Sequence, residues 1–223
     1  MSATWGKSAG AILHTGDSTC VGNEANTGGW RPGVTATLTS DGWAHRIVGS
    51  VSSTGLCYAI GATALTDFLD AGAYPLSVEV AAQRPFVLVL STAFNDFRSG
   101  DGVGGAGDID TIATRFTDLL DDVYAVAPWL RVVVPQCLPV VAGDPAGWPV
   151  FDLAGCNAAI STWNSTRVPA IVATQNAAGR HLAQCAAHAN PVRSDFVHPV
   201  DGATGYDLMY PPIVAAIEAI KPR

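Results

Sequence analysis

The chain has 223 residues, of which 48% are hydrophobic and 14% charged, a composition that excludes intrinsic disorder and suits a single domain, residues 1–223, with a full core. A protein with a formal net charge of −7 lacks the basic surface of a nucleic-acid binder, so no nucleic-acid partner is expected. No apolar stretch reaches the ~18–20 residues of a membrane-spanning helix, and the first residues do not have the pattern of a signal peptide.

Short aliphatic runs predict the strands. Most of them do not alternate between apolar and polar residues, which is typical of strands buried on both faces of a parallel sheet. The five runs are residues 10–14, 45–48, 85–90, 130–135 and 168–173.

The segments between these runs predict helices over residues 62–69, 110–126, 152–163, 174–188 and 202–220. The segment 110–126 has its apolar residues at helical spacing and acidic residues near its start. Alternating strands and helices, joined by connections long enough for crossovers, predict a three-layer α/β/α sandwich around a mostly parallel sheet.

Polar motifs follow two of the predicted strands. Gly16-Asp17-Ser18 comes after the first strand, and Asn95-Asp96 comes after the third. In such folds the sites form beyond the carboxyl ends of the strands. We therefore expect Ser18 and Asn95 at the same edge of the sheet.

A third motif, Asp195-Phe-Val-His198-Pro, places a carboxylate three residues before a histidine in a stretch too irregular to predict a helix. If one turn holds both residues, Asp195 orients the imidazole of His198. Together with Ser18 as nucleophile and Asn95 as amide donor, these residues are the parts of a serine hydrolase.

Each residue also has a structural interpretation. Ser18 alone would be read as the cap of the following helix, and Asn95 as a turn or capping residue. Asp17 and Asp96 are expected to hydrogen-bond the loop backbone around the site rather than to act in catalysis.

The cysteines and histidines predict neither a metal site nor a cofactor. None of the five cysteines (Cys20, Cys57, Cys137, Cys156 and Cys185) forms a CxxC pair, and no histidine pair has metal-ligand spacing. The cysteine spacing allows either two disulfides with one free thiol or five free thiols. A Cys20–Cys57 disulfide would restrain the Ser18 loop. The glycine-dense residues 99–108 lack the Lys-Ser/Thr of a phosphate-binding loop and are expected to form a flexible loop bordering the site.

In this order, the three motifs resemble those of the SGNH/GDSL hydrolases, which are named for Ser, Gly, Asn and His residues in four blocks. The resemblance runs from Ala11 to about Met209 and is nearest to bacterial carbohydrate-esterase-like members. It implies a flavodoxin-like α/β/α fold. It also implies a Ser18–His198–Asp195 triad and an oxyanion hole formed by the Ser18 N–H, a glycine N–H and the Asn95 side chain.

The glycine block is the weakest part of the resemblance. We choose Gly61, in Tyr58-Ala-Ile-Gly61, and keep Gly49 as the alternate. In the third block, Ala93 stands where the family usually has glycine, which narrows the backbone freedom beside Asn95.

The resemblance implies a serine esterase that removes short acyl groups, first of all O-acetyl groups on carbohydrate, through an acyl-enzyme and without a cofactor. The substrate would be a small-molecule or glycan ester, and a secreted, extracellular or virion-associated location is favoured. The alternatives are a lipase or thioesterase of the same fold with longer acyl preference, and a catalytically weak glycan-binding or virion structural module.

Overall fold

One parallel sheet forms the centre of the protein. The computed structural model describes residues 10–21, 29–43, 45–50, 56–60, 63–97, 108–141, 153–191, 193, 198–200 and 202–220. The strands are β1 (Gly10–Gly16), β2 (His45–Val48), β3 (Tyr58–Ala59), β4 (Val87–Ser91), β5 (Arg131–Val134) and β6 (His181–Gln184). Their order is β2-β1-β4-β5-β6, with β3 paired to the end of β1. Apart from β3, this is the flavodoxin-like order, in which β2 lies on one side of β1 and the later strands lie on its other side.

Helices cover both faces of the sheet. They are α1 (Ser18–Val21), α2 (Arg31–Ser40), α3 (Leu65–Phe68), α4 (Leu76–Gln83), α5 (Ile109–Val126), α6 (Leu153–Thr162), α7 (Val168–Ala177) and α8 (Tyr210–Ile220). A π-helical turn, Trp163–Arg167, joins α6 to α7 without a break. Over the described ranges, no helix combines the length and apolar character that crossing a membrane requires.

The two faces of the sheet belong to two separate cores. Leu13 and Leu88 pack with residues of α3 to α7 in one core. Ile12 and Val89 pack with residues of α1, α2 and α8 in the other. Because neighbouring strand residues point to opposite faces, this alternation makes a three-layer α/β/α sandwich, as the sequence predicted.

The central strands and the long helix were predicted well, but two predictions in the C-terminal half are wrong. Residues 168–173 were predicted as a strand and lie in α7, where Val168 and Gln175, two turns apart, are the buried residues. The predicted helix 174–188 ends at Ala177, and β6 follows it. A short apolar run does not by itself distinguish a strand from a helix.

All five cysteines lie in the described part of the chain, and none of them is in a disulfide. The structure therefore has the second of the two arrangements that the sequence left open, and Cys20 and Cys57 are not bridged. Both are buried in the same core, Cys20 within α1 and Cys57 directly before β3.

Candidate active site

The turn after β1 carries Ser18 in a fixed position. Asp17 caps α1, because its carboxylate accepts hydrogen bonds from both the backbone N–H and the hydroxyl of Thr19, at 2.9 and 2.8 Å. Its own N–H donates to Ser91 O, at the end of β4, at 3.3 Å. Asp17 therefore caps α1, which is the kind of structural role that the sequence predicted for it. Because Ser18 is not the cap, its hydroxyl can bond to another residue.

That partner is His198. Ser18 Oγ and His198 Nε2 lie 2.7 Å apart, although 180 residues separate them in the chain. The two residues are only 7% and 4% exposed. The distance lies within the 2.6–3.2 Å range expected between a nucleophile and its base, and burial strengthens the interaction by excluding water.

The loop that carries His198 is held at both ends. Arg193 and Pro199 form an isolated antiparallel bridge on one side. On the other side, the Tyr206 N–H donates to Val200 O at 2.9 Å. Asp195, the predicted orienter, lies outside the described residues.

Asn95 and Asp96 follow β4 and contact the segment that leads into α3. The Asn95 side-chain amide donates to Thr63 O at 2.8 Å. The Asp96 carboxylate, which is fully buried, accepts from the Leu65 N–H at 2.9 Å and lies 3.7 Å from the Arg115 guanidinium. Asp96 therefore has the structural role that the sequence predicted.

The predicted oxyanion glycine, Gly61, also lies outside the described residues. The described residues nearest to it in sequence adjoin the site: the Ile60 N–H donates to Gly16 O at 2.9 Å, and Thr63 accepts from Asn95. The alternate, Gly49, has a packing requirement of its own. Its φ is +151°, and a Cβ there would lie 2.2 Å from Cys57 O, so only glycine fits.

Ala93 has a backbone conformation that favours glycine. Its φ is +81°, and alanine adopts such angles at an energetic cost. Ala93 therefore stores strain two residues before Asn95.

The sequence reasoning missed Arg31. This residue is buried, and its Nε donates to Cys20 O at 3.0 Å, at the end of α1. A second nitrogen lies 3.4 Å from Leu56 O, just before β3. One guanidinium thus ties the helix that begins with Ser18 to the strand beside it. The available signal was a charged residue directly after Trp30, within an otherwise uncharged segment.

His14 has no role in this constellation. It is fully buried in β1, with its ring 4.9 Å from that of Trp30. Burial, helped by the nearby Arg31 charge, lowers the pKa of His14 to about 3, so the ring is neutral at pH 7. In the part of the chain that the structure describes, no three His, Cys, Asp or Glu side chains are grouped to hold a metal ion.

Comparison with known proteins identifies the fold. No protein-family model and no curated protein sequence matches the chain. Among solved structures, a family 3 carbohydrate esterase from Clostridium thermocellum is similar with a TM-score of 0.67 and 18% identity, over 96% of this chain and 97% of that one. A family 3 carbohydrate esterase from Talaromyces cellulolyticus gives 0.68 and 20%, over 94% and 96%.

An acetylxylan esterase from Geobacillus stearothermophilus, solved as a catalytic mutant, gives a TM-score of 0.65 and 14% identity, over 97% of this chain and 98% of that one. These similarities cover nearly the whole of both chains. The protein therefore has the α/β fold of the SGNH hydrolases, with the fold's central parallel sheet.

Proposed function

We propose that this protein is a serine esterase that removes acetyl groups from carbohydrate through an acyl-enzyme intermediate. The observation that carries the proposal is the 2.7 Å contact between buried Ser18 Oγ and His198 Nε2. A serine hydroxyl placed against an imidazole nitrogen is an activated nucleophile.

Ser18 Oγ attacks the acyl carbon while His198 takes its proton, and His198 then gives that proton to the leaving alcohol oxygen. Water repeats the sequence, so that acetate leaves and Ser18 is restored. We assign to Asp195 the role of holding the imidazole in the required tautomer, as the family resemblance implies.

In this mechanism the negative charge that develops on the carbonyl oxygen is stabilised by hydrogen-bond donors. We assign this role to the Ser18 N–H, the Gly61 N–H and the Asn95 side-chain amide. Asn95 is buried and adjoins the segment on the C-terminal side of Gly61 through Thr63. Removing one donor of this kind typically costs ~2.7–4 kcal/mol of transition-state stabilisation.

The preference for acetyl groups on carbohydrate is supported by the similar structures, two of which are family 3 carbohydrate esterases and one an acetylxylan esterase. Another is an acetyl esterase solved with an acetate ion. The geometry of the site supports ester hydrolysis, and the similar proteins support the acyl and alcohol classes.

The test is hydrolysis of p-nitrophenyl acetate and p-nitrophenyl octanoate by the parent, Ser18→Ala and Ser40→Ala proteins. Ser40 is exposed at the end of α2 and is the matched control. We expect acetate turnover to fall by about 10⁴-fold or more in Ser18→Ala and to stay unchanged in Ser40→Ala. Octanoate preference would indicate a lipase or thioesterase, and turnover that does not depend on Ser18 would overturn the proposal.

A further inference from the structure

A cleft of about 310 Å³ opens at the carboxyl end of β5. It lies between the loop after that strand and the helical segment formed by α6 and the π-helical turn. Its lining residues are Gln136, Pro139, Asn157, Ile160, Ser161, Asn164 and Ser165. None of them takes part in the mechanism above.

Two asparagines fix the wall of the cleft. Asn164 holds the loop at Cys137, accepting from its N–H at 3.0 Å and donating to its carbonyl at 2.7 Å. Asn157 holds Val140 in the same way, with both distances 2.8 Å. The loop is thus bonded at two points to the helical segment. A pre-formed wall reduces the ordering that a ligand would otherwise have to impose.

The cleft adjoins the candidate active site. β4 lies between β1 and β5 in the sheet, and strands are spaced by about 4.8 Å, so the ends of β1 and β5 are roughly 10 Å apart. The Cys137 thiol donates to Thr92 O at 3.6 Å, directly after β4. The loop that lines the cleft is therefore bonded to the segment that follows β4, the strand next to β1.

The chemistry of the lining indicates the ligand. Five of the seven side chains are amides or hydroxyls, two are apolar, and none is charged. The amides of Asn157 and Asn164 are bonded to the loop backbone, and most of the surface that lines the cleft is apolar. A phosphate or carboxylate ligand would have no cationic partner there, and an acyl chain that filled the cleft would cover the Gln136 amide without offering it a hydrogen-bond partner. A neutral molecule that carries many hydroxyl groups and has apolar C–H faces fits both kinds of lining group.

We infer that this cleft is a saccharide subsite, which holds neutral sugar units of the substrate while the acetylated unit lies at Ser18. This inference rests on the proposed function for its place in the reaction. Binding of sugar to the cleft can nevertheless be measured without turnover.

The first measurement is binding of xylotetraose, cellotetraose and mannotetraose to the Ser18→Ala protein by isothermal titration calorimetry. Gln136→Ala removes an amide from the cleft, and Ser161→Trp fills it from an exposed helical position. Gln83→Ala, at the end of α4, is the matched control. We expect one or more sugars to bind, with affinity about fivefold to tenfold weaker in Gln136→Ala and abolished in Ser161→Trp.

The second measurement compares kcat/KM on acetylated xylotetraose with kcat/KM on p-nitrophenyl acetate. Substitutions in the cleft should raise KM for the oligosaccharide more than for the small ester, whose alcohol part does not reach β5. Absence of binding to all three sugars, or equal effects in Gln83→Ala, overturns the subsite. Sugar binding that depends on Gln136 in a parent without Ser18-dependent turnover would keep the subsite and overturn the esterase.

Discussion

The two residues that meet at 2.7 Å come from regions built in different ways. On the Ser18 side, every residue from Ala11 to Cys20 is buried, and β1 lies between β2 and β4 in the middle of the sheet. On the His198 side, the chain leaves the edge strand β6, and most of residues 186–190 are exposed.

Different kinds of contact therefore position the nucleophile and the base in this fold. The Ser18 turn takes its geometry from the core, through the Asp17 cap, the Arg31 contacts and close strand packing. Among the described contacts of the His198 loop are the Arg193–Pro199 bridge and the Tyr206–Val200 hydrogen bond. Changes on the first side should therefore affect stability, and changes on the second side should affect activity more than stability.

The largest effect expected on the His198 side is that of His198→Gln. Loss of the general base should lower kcat by about 10⁴–10⁶-fold, while Tm should change little because glutamine keeps the side chain polar and similar in size. Steady-state kinetics and thermal unfolding of the same sample check this. If kcat falls by less than tenfold in His198→Gln, another group accepts the Ser18 proton.

The Ser18 side also contains a buried histidine, His14, that should make stability depend on pH. The pKa of His14 is about 3 in the folded protein, below its ordinary value, so between pH 6.5 and pH 3 the unfolded chain binds a proton that the folded protein excludes. The contribution of His14 to the free energy of unfolding is complete above pH 6.5 and is lost as the pH falls towards 3, by on the order of 5 kcal/mol.

His14→Phe should remove that pH dependence while keeping an aromatic ring against Trp30. Urea unfolding at pH 7 and pH 4 measures the difference in the free energy of unfolding. His181→Gln, at an exposed position, is the control and should behave as the parent does. An unchanged pH 7 to pH 4 difference in His14→Phe would contradict the assignment.

A pair of glycines tests the comparison directly. A Cβ at Gly16 would lie 2.1 Å from Ser91 O, between β1 and β4, and a Cβ at Gly205 would lie 1.7 Å from the carbonyl oxygen of Val200, two residues after His198. Gly16→Ala should lower the free energy of unfolding by about 1–3 kcal/mol, because the sheet cannot move aside.

Gly205→Ala should instead displace the His198 loop. A misplacement of about 1 Å costs on the order of 10²-fold in rate, so kcat should fall strongly while Tm falls less than in Gly16→Ala. If Gly205→Ala destabilises the protein more than Gly16→Ala does, the two sides are not built as described.

The smallest effect concerns Ala93. Because its φ is +81°, Ala93→Gly should change the free energy of unfolding by less than about 1 kcal/mol, since relief of strain offsets the lost methyl group and the added freedom of the unfolded chain. Ala93→Val should destabilise by about 1–3 kcal/mol, since a β-branched residue is strained there. Equal stability of the valine and glycine variants would contradict the strained backbone.

The same contrast between core and surface decided how far the sequence could be interpreted. The strands β1, β4 and β5 are buried on both faces and appear as continuous aliphatic runs, so they were predicted within a few residues. β6 lies at the edge of the sheet with Leu182 as its buried residue, so its sequence carries little apolar signal. α7 was mistaken for a strand because its valines and isoleucine form a short apolar run.

Within the site, the sequence placed Ser18 and Asn95 correctly after their strands, since the ends of parallel strands share one edge. The contact between Ser18 and His198 was expected from chemical complementarity and the family resemblance. Arg31 was not predicted, because its partners are backbone carbonyls at Cys20 and Leu56, which no side-chain pattern reveals. The cleft was missed for a similar reason: Asn157 and Asn164 act on loop backbone that is close to them only in the folded chain.

The central claim is that His198 activates Ser18 as a nucleophile. The most direct test is intact-mass and peptide mass spectrometry after brief exposure to diisopropyl fluorophosphate, which forms a stable adduct with an activated serine. We expect one adduct on the peptide that contains Ser18, no adduct in Ser18→Ala, and a labelling rate lowered at least about 10²-fold in His198→Gln. An adduct on a different residue, or equal labelling rates in the parent and His198→Gln, would contradict the account.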